Sequence, residues 1–313
     1  MTQVSNRPAP GSAPPAGGGP ALTALTALAP AMWGTTYLVT TEFLPPGHPL
    51  ASGVLRALPA GLILLAVTRT LPRGAWLWRS LVLGTLNIGA LFALLFVAAY
   101  RLPGGVAATL FAVQPLIVVG LAFLLLGERP TRWRLGWGLA GAAGVGLIVL
   151  QGRISFDLWG VLAGIAAAAV MAGGIVLTKR WGLPQGVGPT ALAGWQLTAG
   201  GLVLLPLALF EGLPPEPDLR AVGGYAWLAV AGALLTYPVW FRGIGRLPVV
   251  SVSFLPLLSP TVAAALGWLL LGESLTPWQG LGFALALTAV AAAQLTPEAA
   301  RGLIRIPTSR RGA

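Results

Sequence analysis

Arg56 stands alone inside an apolar run, between Leu55 and Ala57. A cation at that depth in a bilayer costs about 2.5–3.5 kcal/mol on insertion scales. Such a residue snorkels to an interface, pairs with a backbone carbonyl, or presents its charge to a carboxylate or other anionic group in a cavity. Trp33 and Tyr37 are four residues apart and share one helical face, with Thr35 and Thr36 beside them. An aromatic pair flanked by hydroxyls grips a flat or amphipathic solute. An interfacial aromatic belt is the competing reading, but these residues lie mid-run, where belts do not form. Asn87 and Gln114 are uncharged amides deep in two further runs, and Trp195, Gln196, Tyr237 and Trp240 stand in comparable places later in the chain. Trp33, Tyr37, Arg56, Asn87, Gln114, Trp195, Gln196 and Tyr237 are thus the expected lining of a small-molecule site. Arg56 supplies charge complementarity, the aromatics stack, and the amides orient the solute. Core packing competes with that role at each position.

Two prolines add a mechanical element. Gln114 precedes Pro115, and Ser259 precedes Pro260. Each proline removes one backbone hydrogen bond and leaves a carbonyl four residues earlier, at Phe111 or Pro256, without its usual donor. Prolines in corresponding interrupted helices point to a transport site and mark Pro115 and Pro260 as candidate hinges. A packing kink satisfied by serine or water is the alternative.

Other chemistry is poorly supplied. The chain has no cysteine, so no thiolate nucleophile, disulfide or cysteine-held metal is available. His48 is the single histidine, in a loop beside prolines, and it lacks partners for a metal site or a hydrolase triad. No apolar run clearly holds an Asp or Glu in its interior, which argues against a carboxylate proton relay. No metal, cofactor or catalytic residue is expected.

The elements that must position these residues are membrane helices. The 313 residues are 56% hydrophobic and only 9% charged, with mean hydropathy +0.82. Soluble domains carry about 25% charged residues. Forty-three glycines suit close helix packing in lipid. The net charge of +11 comes from basic residues scattered between apolar runs, which argues against nucleic acid as a partner. Ten apolar runs lie at about 21–41, 50–68, 77–99, 104–126, 133–151, 158–178, 189–210, 223–241, 249–271 and 277–295. Residues 1–20, rich in Pro, Gly, Ala and Ser, are expected to be a disordered tail, and residues 296–313 a basic one. A cleaved signal peptide is not expected, because Arg7 lies far from the first run.

The chain repeats itself. LLLGERPTRW at 124–133 and LLLGESLTPW at 269–278 share seven identities at an offset of 145. The same offset aligns Arg101-Leu102-Pro103 with Arg246-Leu247-Pro248, Pro115 with Pro260, and Phe92 with Tyr237. At an offset of 140, residues 57–65 match residues 197–205, which sets Arg56 opposite Gln196. Thr131 and Thr276 are helix N-caps, with Pro277 at the first helical position, so the repeated GExxTxW is largely structural. Glu128 and Glu273 stand at helix ends, near Arg129 and Arg132. With a cytoplasmic N-terminus, fifteen basic residues lie inside, three (Arg101, Arg153, Arg220) outside, and Arg56 in a helix. Both termini are therefore expected inside. Five helices per repeat is an odd number, so the halves must be inverted, the architecture of many secondary carriers.

Ten helices, the doubled five-helix unit, WGTTY in the first run, the proline within the fourth, and LLLGE closing the fourth and ninth resemble the drug/metabolite transporter superfamily, and within it the EamA-type family. The likeness covers residues 21–295. It implies an all-α membrane protein of ten transmembrane helices, with inverted EamA repeats at 21–151 and 152–295. It also implies a carrier, often an exporter, of amino acids, pigments or toxic organics in the bacterial inner membrane. The stretch AMWGTTYLVTTEFLPPG is similar to exporters associated with pigment production. No catalytic signature transfers. The expected partners are a small-molecule substrate and the lipid bilayer, with a homodimer left open. A membrane-embedded enzyme lacks convergent His, Asp, Glu or Cys groups. A non-transporting membrane regulator remains as the other alternative.

Overall fold

The computed structural model describes residues 19–101, 110–129, 131–149, 157–212, 214, 218–272 and 276–295, and every regular element among them is helical. In chain order these are α1 (Pro20–Phe43), α2 (Pro49–Thr68), α3 (Ala75–Gly84), α4 (Ala90–Arg101) and α5 (Gln114–Leu126). There follow α6 (Arg132–Val149), α7 (Leu158–Trp181), α8 (Pro189–Glu211), α9 (Leu219–Ala229) and α10 (Thr236–Arg246). Last come α11 (Val249–Phe254), α12 (Leu258–Leu271) and α13 (Pro277–Gln294). A π segment, Thr85–Gly89, carries α3 into α4, and another, Val230–Leu234, carries α9 into α10. A 3₁₀ turn, Leu255–Leu257, joins α11 to α12. Of the tails expected at 1–20 and 296–313, residues 1–18 and 296–313 lie outside the described residues, and Pro20 instead begins α1; Glu273 and residues 104–109 of the run expected at 104–126 also lie outside them.

Among the described residues, six stretches are long and apolar enough to cross a bilayer: Pro49–Thr68, Ala75–Ala98, Leu158–Trp181, Pro189–Glu211, Leu219–Arg246 and Val249–Leu270. The bundle turns Val67, Leu124, Leu209 and Phe210 outwards, a surface that water would penalise and lipid accepts.

The repeated LLLGE stretch ends helices. Gly127 and Gly272 adopt left-handed φ of 69° and 67° at the C-termini of α5 and α12, where a side chain would be strained. The repeated threonine starts the next helix. Thr131 Oγ1 accepts from the Arg134 N–H at 3.3 Å, and Thr276 forms a capping box with Gln279.

Helices at corresponding places in the two halves pack side by side and antiparallel. Along α2 and α8, Gly53 meets Leu204, Leu58 meets Gly201, Gly61 meets Thr198, and Leu64 meets Gly194. Along α6 and α13, Gly141 meets Ala289, and Gly144 meets Gly282 and Ala286. Glycine at these contacts lets backbones touch, as helix association in lipid requires. Glu211, at the end of α8, accepts from the Leu50 and Ala51 N–H groups at 3.0 and 2.9 Å. It thereby caps the start of α2, whose own N-cap residue, His48, makes no side-chain cap.

Candidate functional site

A cavity of about 530 Å³ lies between α1, α2, α4, α7, α10 and α12. It reaches the α1–α2 loop at Leu44 and Pro46. Six aromatic rings stand in its wall: Trp33 and Tyr37 from α1, Phe92 and Phe96 from α4, Phe111, and Tyr237 from α10. Trp33 and Tyr237 approach with ring centroids 5.3 Å apart, and Trp240 supports Trp33 from behind at 5.2 Å. Thr36, Thr40, Thr41 and Ser259 add hydroxyls.

Arg56 provides the one charged group in this lining among the described residues. It is 3% exposed. Nη2 donates to the Gly232 carbonyl at 3.0 Å and Nη1 to Thr36 Oγ1 at 3.3 Å. The guanidinium carbon stands 4.8 Å from the Phe92 ring centre, a cation–π distance. Among the described residues no carboxylate lies within ion-pair distance of it, since the two ion pairs present join Arg101 to Asp157 and Arg220 to Glu42. Nε has no partner among the described residues, nor does the buried Thr40 Oγ1 in the same wall. The Gly232 carbonyl that receives Arg56 lies in the π segment and also accepts from Trp33 Nε1 at 3.1 Å. A π turn widens the helix and frees backbone groups for such contacts, which is why these turns gather at functional sites.

The eight expected residues divide. Trp33, Tyr37, Arg56 and Tyr237 converge on the cavity. Asn87, Gln114, Trp195 and Gln196 stand outside its lining. Asn87 Nδ2 donates to Gln196 Oε1 at 2.7 Å and to Thr178 Oγ1 at 3.2 Å, in a closed cluster elsewhere in the bundle. Trp195 donates from Nε1 to the Thr70 carbonyl, tying α8 to the α2–α3 loop. Gln114 is fully buried, and neither amide atom has a partner among the described residues. Pro260 lines the cavity, whereas Pro115 stands in the first turn of α5, just after the break at Ala112–Val113.

Pro256 is a further helix breaker. It sits in the 3₁₀ turn and lines the cavity with Ser259 and Pro260. Its spacing of four from Pro260 was the available signal. Phe92 had a signal too, its alignment with Tyr237. The π segments had none, because TLNIG and VAGAL share no residue at equivalent positions.

The sequence profile of the EamA-like transporter family matches twice, at residues 21–150 and 158–293. Protein PecM of Dickeya dadantii is 45% identical over 84% of this chain and 88% of its own length. The uncharacterized inner membrane transporter YedA of Escherichia coli K12 is 30% identical over 80% of this chain and 84% of its own. A probable terminal-alkyne amino-acid exporter of Streptantibioticus cattleyicolor is 29% identical over 66% of this chain and 69% of its own. A crystal structure 22% identical in sequence superposes with a TM-score of 0.75, covering 90% of this chain and 98% of that one, and so shares the fold. With its family's domain present twice in a multi-pass membrane bundle, this chain belongs to the EamA-like transporter family, among carriers of the drug/metabolite transporter type.

Proposed function

We propose that this protein is a secondary carrier that exports a small organic metabolite, amino-acid-like, pigment or drug-like, across the bacterial inner membrane by alternating access. The observation that carries this reading is Arg56, a buried cation in a cavity wall with no acidic partner among the described residues. An uncompensated charge in a low-dielectric site is costly unless something pairs with it, and a solute's carboxylate or other anionic group does so. Stacked between Trp33, Tyr37, Phe92 and Tyr237, the body of that solute is apolar or flat. The chain's family and the exporter among its relatives support the direction of transport.

The architecture in this proposal is ten transmembrane helices in two inverted repeats, 21–151 and 152–295, with both termini cytoplasmic. The antiparallel pairing of α2 with α8 and of α6 with α13 supports inversion. The charge asymmetry supports the orientation. Reporter fusions at each terminus test the topology, and both must read cytoplasmic. Purified protein in liposomes, loaded with a panel of amino acids and amphipathic organic acids, tests the function. Saturable flux abolished by Arg56→Ala supports the reading, and flux no faster than from protein-free liposomes across the panel overturns it.

A further inference from the structure

The Arg56 cluster in the cavity wall has a buried counterpart elsewhere in the bundle. The π segments begin at Thr85 and Val230, 145 residues apart, and α2 and α8 begin at Pro49 and Pro189, 140 apart. Under these offsets Arg56 corresponds to Gln196 and Gly232 to Asn87. The structure joins both corresponding pairs. Arg56 reaches the Gly232 carbonyl, and Asn87 Nδ2 reaches Gln196 Oε1. Each pair also recruits a threonine from the first helix of its half: Thr36 of α1 bonds Arg56, and Thr178 of α7 bonds Asn87. Each cluster is therefore built from two helices of one half and the π segment of the other. Arg56 and Gln196 both lie seven residues into their helices, about 10 Å from the helix start. Because α2 and α8 run antiparallel, the clusters stand towards opposite ends of the bundle.

Their packing differs. Arg56 and Thr36 face the cavity, whereas Asn87, Thr178 and Gln196 are 5%, 4% and 0% exposed and stand outside its lining. Backbones close over the second cluster. A Cβ added at Gly174 would strike Asn87 Oδ1, Gly84 lies against the Gln196 carbonyl, and Gly200 lies against Ile88. Even so, Gln196 Nε2 has no partner among the described residues. A buried amide donor left without an acceptor is destabilising, and a core that needed only packing would carry an apolar residue there.

We propose that Asn87, Thr178 and Gln196 form a second substrate subsite, closed in this structure, that lines the cavity when the opposite end of the bundle opens. This rests on the carrier reading above. The subsite offers amide and hydroxyl hydrogen bonds and no charge. It takes an acceptor oxygen, the carboxylate or carbonyl of the solute, for which Gln196 Nε2 is the waiting donor. The anionic group that Arg56 holds strongly is therefore held weakly here, at the cytoplasmic end of the proposed topology, where an exported solute enters before it passes to Arg56.

The cysteine-free chain allows a direct test in sealed vesicles of both orientations, with a membrane-impermeant maleimide as the probe. Single-cysteine variants Thr36→Cys, Gln196→Cys and Met171→Cys are labelled from each face. Met171 lines the cavity and reports switching itself. The expected result is labelling of Thr36→Cys from one face only, Gln196→Cys from the other only, and Met171→Cys from both. Gly174→Ala, which crowds Asn87, is expected to raise Gln196→Cys labelling and lower Thr36→Cys labelling, each by about tenfold. Thr178→Cys, a near-isosteric change, replaces Gln196→Cys if that variant does not fold. Protection of Gln196→Cys and Thr178→Cys from both faces, while Met171→Cys is labelled from both, overturns the subsite and leaves the carrier reading standing. Labelling of Met171→Cys from one face only overturns alternating access, and the subsite with it.

Discussion

Arg56 Nη2 and the Gly232 carbonyl meet at 3.0 Å across 176 positions of sequence. The bond ties α2 in the first half of the chain to the π segment in the second. Gly232 leaves room beside the guanidinium, where a Cβ would sit 3.4 Å from Arg56 Nε and Nη2, at the edge of ordinary van der Waals contact. The carbonyl belongs to a π turn, and the cation it receives lines the cavity with no carboxylate within ion-pair distance among the described residues.

Arg56→Met separates stability from function. The apolar chain fills similar volume, the Gly232 carbonyl keeps its bond from Trp33 Nε1, and the buried charge is gone. Thermal stability is expected to hold or rise, while liposome flux falls by about tenfold to a hundredfold, as the loss of a charged hydrogen bond of about 1.5–3 kcal/mol implies. Arg56→Lys keeps the charge but loses the fork that reaches Gly232 and Thr36 together, so intermediate flux is expected. Unchanged flux in both variants removes Arg56 from the site.

Pro256→Ala and Pro260→Ala restore backbone donors beside the 3₁₀ turn of the α11–α12 stretch. Both are expected to raise the melting temperature and slow transport, because a straighter helix stiffens the soft point that the proposed alternating access needs. Pro115→Ala is expected to act less strongly, since proline in a first helical turn disturbs little. Unchanged flux in all three variants leaves the prolines as packing features.

Glu211→Ala strips the cap from the start of α2. Two N–H groups lose their carboxylate partner, and a stability loss of about 1 kcal/mol is expected. Glu211→Gln keeps one acceptor oxygen and should recover part of it. Thermal melts in detergent compare the three proteins.

Gly200→Ala places a methyl against Ile88 and the Gly84 carbonyl, and a loss of about 1–3 kcal/mol is expected from overpacking. Gly120→Ala meets nothing within 4 Å and should be neutral or stabilising by a few tenths of a kcal/mol. Equal melting temperatures for the two would contradict the close approach of α8 to the first π segment.

Asp157 caps α7 by accepting from the Gly160 N–H at 2.9 Å and pairs with Arg101. The Gly160 N–H, and after it Arg101, hold its carboxyl below the ordinary carboxylate range. A depressed folded-state value means that the contribution is complete above the unfolded value, near pH 4, and disappears as pH falls through the folded one. Asp157→Ala is therefore expected to melt below wild type at neutral pH, with the gap closing under acid. A gap independent of pH would assign the effect to something other than the carboxylate.

Much of this fold was legible because its determinants are local. Apolar runs of spanning length, glycine after LLL, threonine before Trp-rich starts and a recurring offset each act within a few residues. Such signals survive without knowledge of partners, and Gly127, Thr131, Gly272 and Thr276 perform the capping that their types imply. The site was legible in part for a related reason. A polar group inside an apolar run is costly wherever it faces, so Arg56, Asn87, Gln114 and Gln196 stood out at once.

By itself the sequence determined that this is a duplicated membrane bundle and which polar side chains it must accommodate. The tertiary structure decided which of them share a cavity. Arg56 faces open space and its counterpart Gln196 does not, although they stand at the same depth of equivalent helices. That difference goes with backbone contact at Gly84, Gly174 and Gly200 and with two π turns without a local sequence signal. Insertion cost depends on a residue and its depth. Facing depends on how antiparallel neighbours settle against one another, and no single segment encodes that.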